Sequence, residues 1–449
     1  MWRGPLRCVG SGAGGARAGA LEVPMEFTVD DEVCVGKWHA MKTDARQARP
    51  DGAMTIEEVT DDLLNIVPVL EPIIRQHADE AERNHRLSQP VVAALARAGL
   101  FRMWVPKTLG GLEVSPLTAY RVVEEVARLD GSTGWCVFIG VSSAISGAFL
   151  ADLAAEDMFG RNPLGVTGGV IAGIGKAVVQ KDGYLVSGRW PYASGCQHCG
   201  WLLALCQVID GDQPRVTTAG TPEMRVVHIP REKVTILDDT WDVSGLVGTG
   251  SHDFVVEPVF VPEGYTWQFT PGIPRGKHYR GPLYQFPLVA LFRLQASAVA
   301  LGIAQGAMDA WLALAPSKRA VIAPGVLRDQ PLVQARIAEV VALVSSSRAW
   351  LHAAIQRAWN TTQVGESVSL AERGELLLAA VNATRRAAEA VQLVYTLAGG
   401  SANYRHSPLQ RALRDVHAVT QHVGMAPQQY EEAGRMLLGL QPGQPLLRF

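Results

Sequence analysis

Apolar residues recur at intervals of three and four from position 56 onward, with Ile56, Val59, Leu63, Leu64 and Val67 forming one stripe. That spacing brings side chains to a single face of an α-helix. It predicts further helices over residues 89–98 and 117–129, separated by breakers at Pro106 and Gly110-Gly111. Asp130-Gly131-Ser132 supplies a turn and an N-cap for an apolar helix that begins near Trp135.

Between about 165 and 267 the apolar period falls to two. Residues 176–181 and 184–187 flank Asp182-Gly183, a hairpin signal between alternating runs. Short β-rich pieces come after it at 201–208, 225–229, 233–237 and 253–261, which predicts a compact antiparallel β domain. After Pro282 the helical period returns in longer stretches, over 294–314, 331–359 and 370–398, and then from about Pro408 to Leu440. Four helices of that length with Ala at close-packing positions predict a bundle. The expected class is mainly α with a central β domain (α+β), divided as 53–160, 161–280 and 281–449. Residues 1–52, rich in Gly, Ala and Arg and without sustained periodicity, read as a disordered or non-native extension.

Composition narrows the functional classes. Of 449 residues 19% are charged and 48% hydrophobic, the balance of a globular chain. A formal net charge of -2 gives no electrostatic reason for nucleic acid or an anionic membrane as partner. Small molecules and other copies of the chain are the expected partners. The longest apolar stretches, 140–153 and 288–304, are interrupted by Ser, Gly, Gln or Arg short of the ~20 residues that span a bilayer. Arg3, Arg7 and Arg17 lack the apolar core of a secretory signal, so a cytoplasmic enzyme is expected.

Two motif matches carry little weight. Gly10-Ser-Gly12-Ala-Gly-Gly15 spells GxGxxG, but no buried strand precedes it and Pro24 interrupts the stretch beyond it. No credible nicotinamide-binding fingerprint is present. Cys196-Gln-His-Cys199 has the form of half a zinc site, with no second CxxC or HxxxH to complete four ligands. With six cysteines in all, reduced thiols in a strand-rich region and no metal are expected.

Four segments carry a resemblance. They are Arg128-Leu-Asp-Gly-Ser-Thr-Gly-Trp135; Gly188-Arg-Trp-Pro-Tyr-Ala-Ser-Gly195; Thr240-Trp-Asp-Val-Ser-Gly-Leu-Val-Gly-Thr-Gly-Ser251; and Ala398-Gly-Gly400 with Leu409-Gln-Arg411 and Arg414-Asp415. In this order, over roughly 56–440, they resemble the acyl-CoA dehydrogenase superfamily. The resemblance implies an N-terminal helical domain, an antiparallel β-barrel or sandwich and a C-terminal four-helix bundle. It also implies a homotetramer, with flavin held between β domain and bundle and a neighbouring subunit completing the site.

Isoalloxazine needs a flat apolar wall and polar groups at its edge. Trp135, Trp190 and Trp241 are candidate walls, and Ser194 and Thr249 candidate hydroxyls near N5 or O4. The competing reading of each tryptophan is filler between helices and sheet. Gly399-Gly400 suits a close approach of backbone to flavin phosphate or ribityl, against an ordinary helix C-cap. Arg293 and Arg319 suit flavin phosphate, against solvated surface arginines.

The branch is set by the catalytic base. Many acyl-CoA dehydrogenases resemble one another in placing a Glu-Gly-Thr motif after the Arg-Asp pair, and its carboxylate removes the α-proton. Here Val423 stands at the Glu and Met425 at the Thr, while His422 lies seven residues beyond Asp415. Arg-Asp with this His after it resembles the two-component, reduced-flavin monooxygenases of the superfamily. The resemblance implies reduced FMN or FAD from a separate NAD(P)H:flavin reductase, O2, and hydroxylation of a small aromatic substrate through a C4a-hydroperoxyflavin. Ser194 would hydrogen-bond that species, and His422 would act as base on the substrate or stabilise the peroxide. The competing reading of His422 is a packed bundle histidine; His417 and His198 are weaker candidates. Met103, Trp104, Phe138 and the loop 267–284 are candidate pocket residues, and 271–287 reads as a lid or a connector. An acyl-CoA dehydrogenase-type FAD oxidoreductase with its base elsewhere is the alternative activity, and a scaffold without chemistry the third reading.

Overall fold

Three helices of the N-terminal part start where a side chain or a proline suits the first turn. The computed structural model describes residues 56–162, 164–218, 220–269, 276–319 and 324–444. The 1–52 extension and its glycine motif lie outside the described residues, as do residues 271–275 at the start of the 271–287 loop. Helix α1 spans Ile56–Asn84 and α2 Gln89–Arg97, and the stripe of α1 is buried at Leu63, Val67, Leu70 and Ile74. Helix α3, Pro116–Leu129, begins with Pro at its first turn and Ser115 Oγ accepting from Thr118 N at 3.1 Å. Helix α4, Gly131–Ala144, starts directly after it. Asp130 is the joint: extended at φ -159, its carboxylate accepts from Thr133 N at 2.8 Å and Thr133 Oγ1 at 2.7 Å.

Eight strands come next: β1 Thr167–Gln180, β2 Gly183–Trp190, β3 Trp201–Asp210, β4 Gln213–Pro214, β5 Met224–Pro230, β6 Thr235–Leu237, β7 Asp253–Pro262 and β8 Thr266–Gln268. They form one sheet ordered β6-β7-β2-β1-β3-β5-β8, with β4 on β3. The hairpin at Asp182-Gly183 closes β1 onto β2, Gln180 opposite Gly183. The sheet is mixed rather than antiparallel, because β1 and β3 run parallel. After β2 the chain turns at Gly195 (φ 70) into the turn Cys196–His198, and β3 re-enters beside β1. Alternation records which face is buried but not strand direction.

Trp190 sits inside this sheet. Its Nε1 donates to Leu205 O at 2.8 Å and its ring stacks on Phe254 at 5.1 Å. A Cβ on Gly175 would come 2.0 Å from that ring, so glycine is required there to admit the indole. Of the two readings for this residue, the filler is the one observed.

The C-terminal part comprises α5 Leu288–Leu314, α6 Pro331–Gln363, α7 Leu370–Ala398, α8 Pro408–Thr420 and α9 Gln429–Leu437. Helix α5 packs on α3 at backbone contact: a Cβ on Gly302 would lie 2.3 Å from Glu124 O. Residues 131–149 and α5 are, by length and mean hydropathy (1.3 and 1.5), apolar enough to cross a membrane, contrary to the sequence expectation. Their apolar windows are 94% and 72% buried within the fold. Interrupting serines are accommodated inside the core by local bonds, as Ser143 Oγ donates to Thr167 O at 2.7 Å and Ser297 Oγ to Leu294 O at 2.7 Å.

The expected last helix is broken. α8 stops at Thr420, His422 is extended (φ -61, ψ 133), and a single turn Val423–Met425 precedes Pro427 and α9. His422 therefore projects from a helix break, not from the helix face that carries His417.

Candidate active site

Three chain segments meet beside α4. The loop after β2 is tied to the segment 249–252 by backbone bonds, Ala193 N to His252 O at 3.1 Å and Gly195 N to Thr249 O at 2.8 Å. These bonds place Ser194 against Thr249 and Ser251. Trp135 of α4 donates from Nε1 to Ser194 Oγ at 3.0 Å. Ser194 Oγ lies 2.7 Å from Ser251 Oγ, which lies 2.7 Å from Thr249 Oγ1. Thr249 Oγ1 donates to Leu246 O at 2.7 Å. All four side chains are buried.

The third segment brings His422. Its ring centroid is 5.8 Å from that of Trp135 and 5.5 Å from that of Phe292. Phe138 closes the group, 4.9 Å from Trp135 and 4.7 Å from Phe292. His422 Nδ1 accepts from Gly424 N at 3.1 Å, so the neutral ring carries its proton on Nε2. Burial, reinforced by the positive charge of Arg293, pushes the imidazole down to about 4. Arg293 donates to Gln429 Oε1 at 3.0 Å and is itself pushed down to about 10 by burial. Val423, which the resemblance sets at the dehydrogenase carboxylate, is 74% exposed.

Arg414-Asp415 holds the turn behind this group. Asp415 Oδ1 accepts from Leu246 N at 2.6 Å, fixing Leu246 in a left-handed conformation (φ 53). Burial, with Asp130 nearby, raises the Asp415 carboxyl to about 7. Arg414 bonds Ser244 O and Glu82, so the pair anchors α8 to the turn that carries Thr249. Trp241, partly buried, donates to Leu246 O at 3.3 Å and meets Tyr192 edge-on at 6.2 Å.

The other cofactor candidates lie elsewhere. Gly399, Gly400 and Arg319 are exposed. Lys318 joins them, bonding Ala398 O and, at 2.6 Å, Ser401 Oγ. Roughly 30 Å of helix separates Arg293 from the Arg319 end of α5, at ~1.5 Å per residue. Within one chain the candidates therefore fall into two separate clusters.

Among the pocket candidates, Phe138 faces Trp135, whereas Met103 and Trp104 are fully buried, Trp104 O accepting from Tyr284 Oη at 3.3 Å. His198 packs on Phe101 at 5.8 Å and is pushed down to about 4 by burial. The Cys196 and Cys199 thiols donate to Gly250 O at 3.6 Å and Gly195 O at 3.2 Å. Among the described residues no group of three or more His, Cys, Asp or Glu is placed to hold a metal. Sequence reading missed Ser251, Phe292 and Gln197. The Gln197 amide is buried without a partner, and a Cβ on Gly250 would come 2.7 Å from its Oε1. Only the position of Ser251 at the end of a motif segment hinted at its part.

An indole, an imidazole and a buried hydroxyl row at a helix–sheet junction fit a flavin: aromatic surface for the ring system, and a hydroxyl oxygen for its edge. Helices, sheet and helical bundle with such a junction define a flavoenzyme of the acyl-CoA dehydrogenase type. Residues 69–158 match the acyl-CoA dehydrogenase N-terminal domain, and 294–427 its C-terminal domain. The chain is 34% identical over 369 residues to the indole-3-acetate monooxygenase of Pseudomonas putida, covering 82% of this chain and 91% of that one. It is 31% identical over 366 residues to HsaA, the oxygenase subunit of a flavin-dependent monooxygenase from Rhodococcus jostii, covering 80% and 93%. The crystal structure of 3-HSA hydroxylase from Rhodococcus sp. RHA1 aligns with a TM-score of 0.78 at 30% identity, over 86% of this chain and 98% of that one. The chain belongs to the acyl-CoA dehydrogenase family and, within it, to the flavin-dependent monooxygenases.

Proposed function

We propose that this enzyme is the oxygenase component of a two-component system that hydroxylates a small aromatic substrate with O2. Reduced FMN or FAD would come from a separate NAD(P)H:flavin reductase. The observation that carries the reading is the convergence of Ser194, Trp135 and His422, in a chain whose resemblance to the dehydrogenases sets Val423 at their carboxylate. Bound reduced flavin supplies the electrons that activate O2. The protein supplies position, dryness and proton control.

Ser194 would meet the flavin edge at N5, and Trp135 would offer its wall. His422 is neutral at pH 7, and its lone pair is committed to Gly424 N. It acts through Nε2–H as a hydrogen-bond donor toward the reacting oxygen, rather than as a base through that nitrogen. Phe138 and Phe292 exclude water and favour a flat apolar substrate. The exposed Arg319–Gly399–Gly400 end is read as the part that completes a neighbouring subunit's flavin phosphate site, in a homotetramer. A cytoplasmic location is part of this proposal, and both long apolar helices pack inside the fold.

The test is anaerobic titration with reduced FMN and FAD, with O2 and indole-3-acetate or simple phenols mixed in afterwards. Product formation dependent on reduced flavin is expected. Purification with tightly held oxidised FAD that acyl thioesters bleach would overturn the reading.

A further inference from the structure

The buried hydroxyl row has a fixed direction. Leu246 O is a carbonyl and only accepts, so Thr249 donates its one proton to it at 2.7 Å. With that proton spent, the 2.7 Å contact between Thr249 and Ser251 has Ser251 as donor. The 2.7 Å contact between Ser251 and Ser194 then has Ser194 as donor. At the other end the Trp135 indole N–H only donates, into Ser194 Oγ at 3.0 Å. Polarity is therefore set from the Leu246 end, the Trp135 N–H takes one of the two Ser194 lone pairs, and burial removes solvent as a competing partner. Ser194 keeps no free proton. It keeps one lone pair.

We propose that Ser251 and Thr249 are positioning residues that hold Ser194 as a hydrogen-bond acceptor, so that the site selects reduced flavin over oxidised flavin. N5 of reduced flavin bears a proton and can donate to the open lone pair. N5 of oxidised flavin is itself an acceptor, so two lone pairs would face each other in a buried site, a mismatch of the order of tenfold or more in affinity. The selection lets the enzyme take the reductase's product and release the spent, oxidised form. The inference rests on the reading that Ser194 faces N5.

The test measures dissociation constants for oxidised and dithionite-reduced FMN and FAD in the parent protein and in Ser251→Ala, Thr249→Val and Ser194→Ala. In S251A the Ser194 proton is released and can serve bare N5. In T249V Ser251 loses its acceptor and can donate back to Ser194, which frees the same proton. Both variants should narrow the preference for reduced flavin by roughly tenfold, lowering the bound-flavin midpoint potential by about 30 mV per tenfold for a two-electron couple. A merely structural role would weaken both redox forms together. If S194A changes the preference while S251A and T249V both leave it intact, the polarity inference is wrong and the active-site reading stands. If S194A leaves both affinities unchanged, Ser194 does not face the flavin and that reading fails too. T249V, nearly isosteric, keeps the test decisive should S251A fold poorly.

Discussion

His422 and Trp135 face each other at a centroid separation of 5.8 Å although they come from a helix break and a helix 287 positions apart in the chain (422 minus 135). The indole of this pair also donates to Ser194, so one side chain touches both groups assigned to the chemistry.

His422→Ala should lower hydroxylation by ~100-fold or more, the usual contribution of a positioned proton-handling group. Reduced-flavin affinity should stay within a few-fold, because the ring contacts the wall and not the hydroxyl row. Product yield per flavin oxidised, measured by chromatography beside peroxide release, reads this directly. Undiminished hydroxylation would leave the histidine with packing alone.

The pH profile of hydroxylation should show no inflection from His422 near its ordinary value of 6.5, since the folded imidazole is pushed down to about 4. Stability should nevertheless decline on acidification. His198, His228 and His422 are each pushed down to about 4 by burial. The unfolded chain therefore binds more protons than the fold between about 6.5 and 4, and stability is lost as pH falls through that window. Thermal melts of Asp415→Asn, which lacks an opposing carboxyl, at pH 7.5, 6 and 5 check it; a level melting temperature would contradict the histidine assignment.

Asp415 behaves oppositely. Its carboxyl is raised to about 7 from 3.8, so its contribution is present at low pH and is lost as pH rises through that interval. Asp415→Asn keeps an oxygen for Leu246 N and should be neutral or stabilising at pH 8. Asp415→Ala leaves that buried N–H unsatisfied and should cost ~1–3 kcal/mol. Urea titrations of both variants separate the hydrogen bond from the charge.

Gly302→Val should destabilise by ~1–3 kcal/mol, the range for overpacking a closed interface. The added carbon would meet Glu124 O at 2.3 Å and force α5 from α3. A melting temperature within a degree of the parent would show that the helices yield freely there.

Much of the architecture was legible along the chain, for local reasons. The stripes of α1 and α3, the Asp130 cap and the Asp182-Gly183 hairpin are written in residues within a few positions of one another. The parallel β1–β3 pair was not, because alternation marks a buried face and carries no direction. The break after α8 was missed because the apolar period survives it, although α8 ends at Thr420 and α9 begins only at Gln429.

By itself the sequence determined which faces are buried, where helices and strands begin, and which residue types are available for flavin chemistry. Tertiary structure decided which of three tryptophans meets Ser194: Trp190 is enclosed by Gly175 and Gly188, while Trp135 points its N–H at the hydroxyl. It separated Arg319, Gly399 and Gly400 from Ser194 and His422. It also decided the direction of the Ser194–Ser251–Thr249 row, since a hydroxyl gives or takes a proton according to its neighbours, and those neighbours become fixed only when the chain folds.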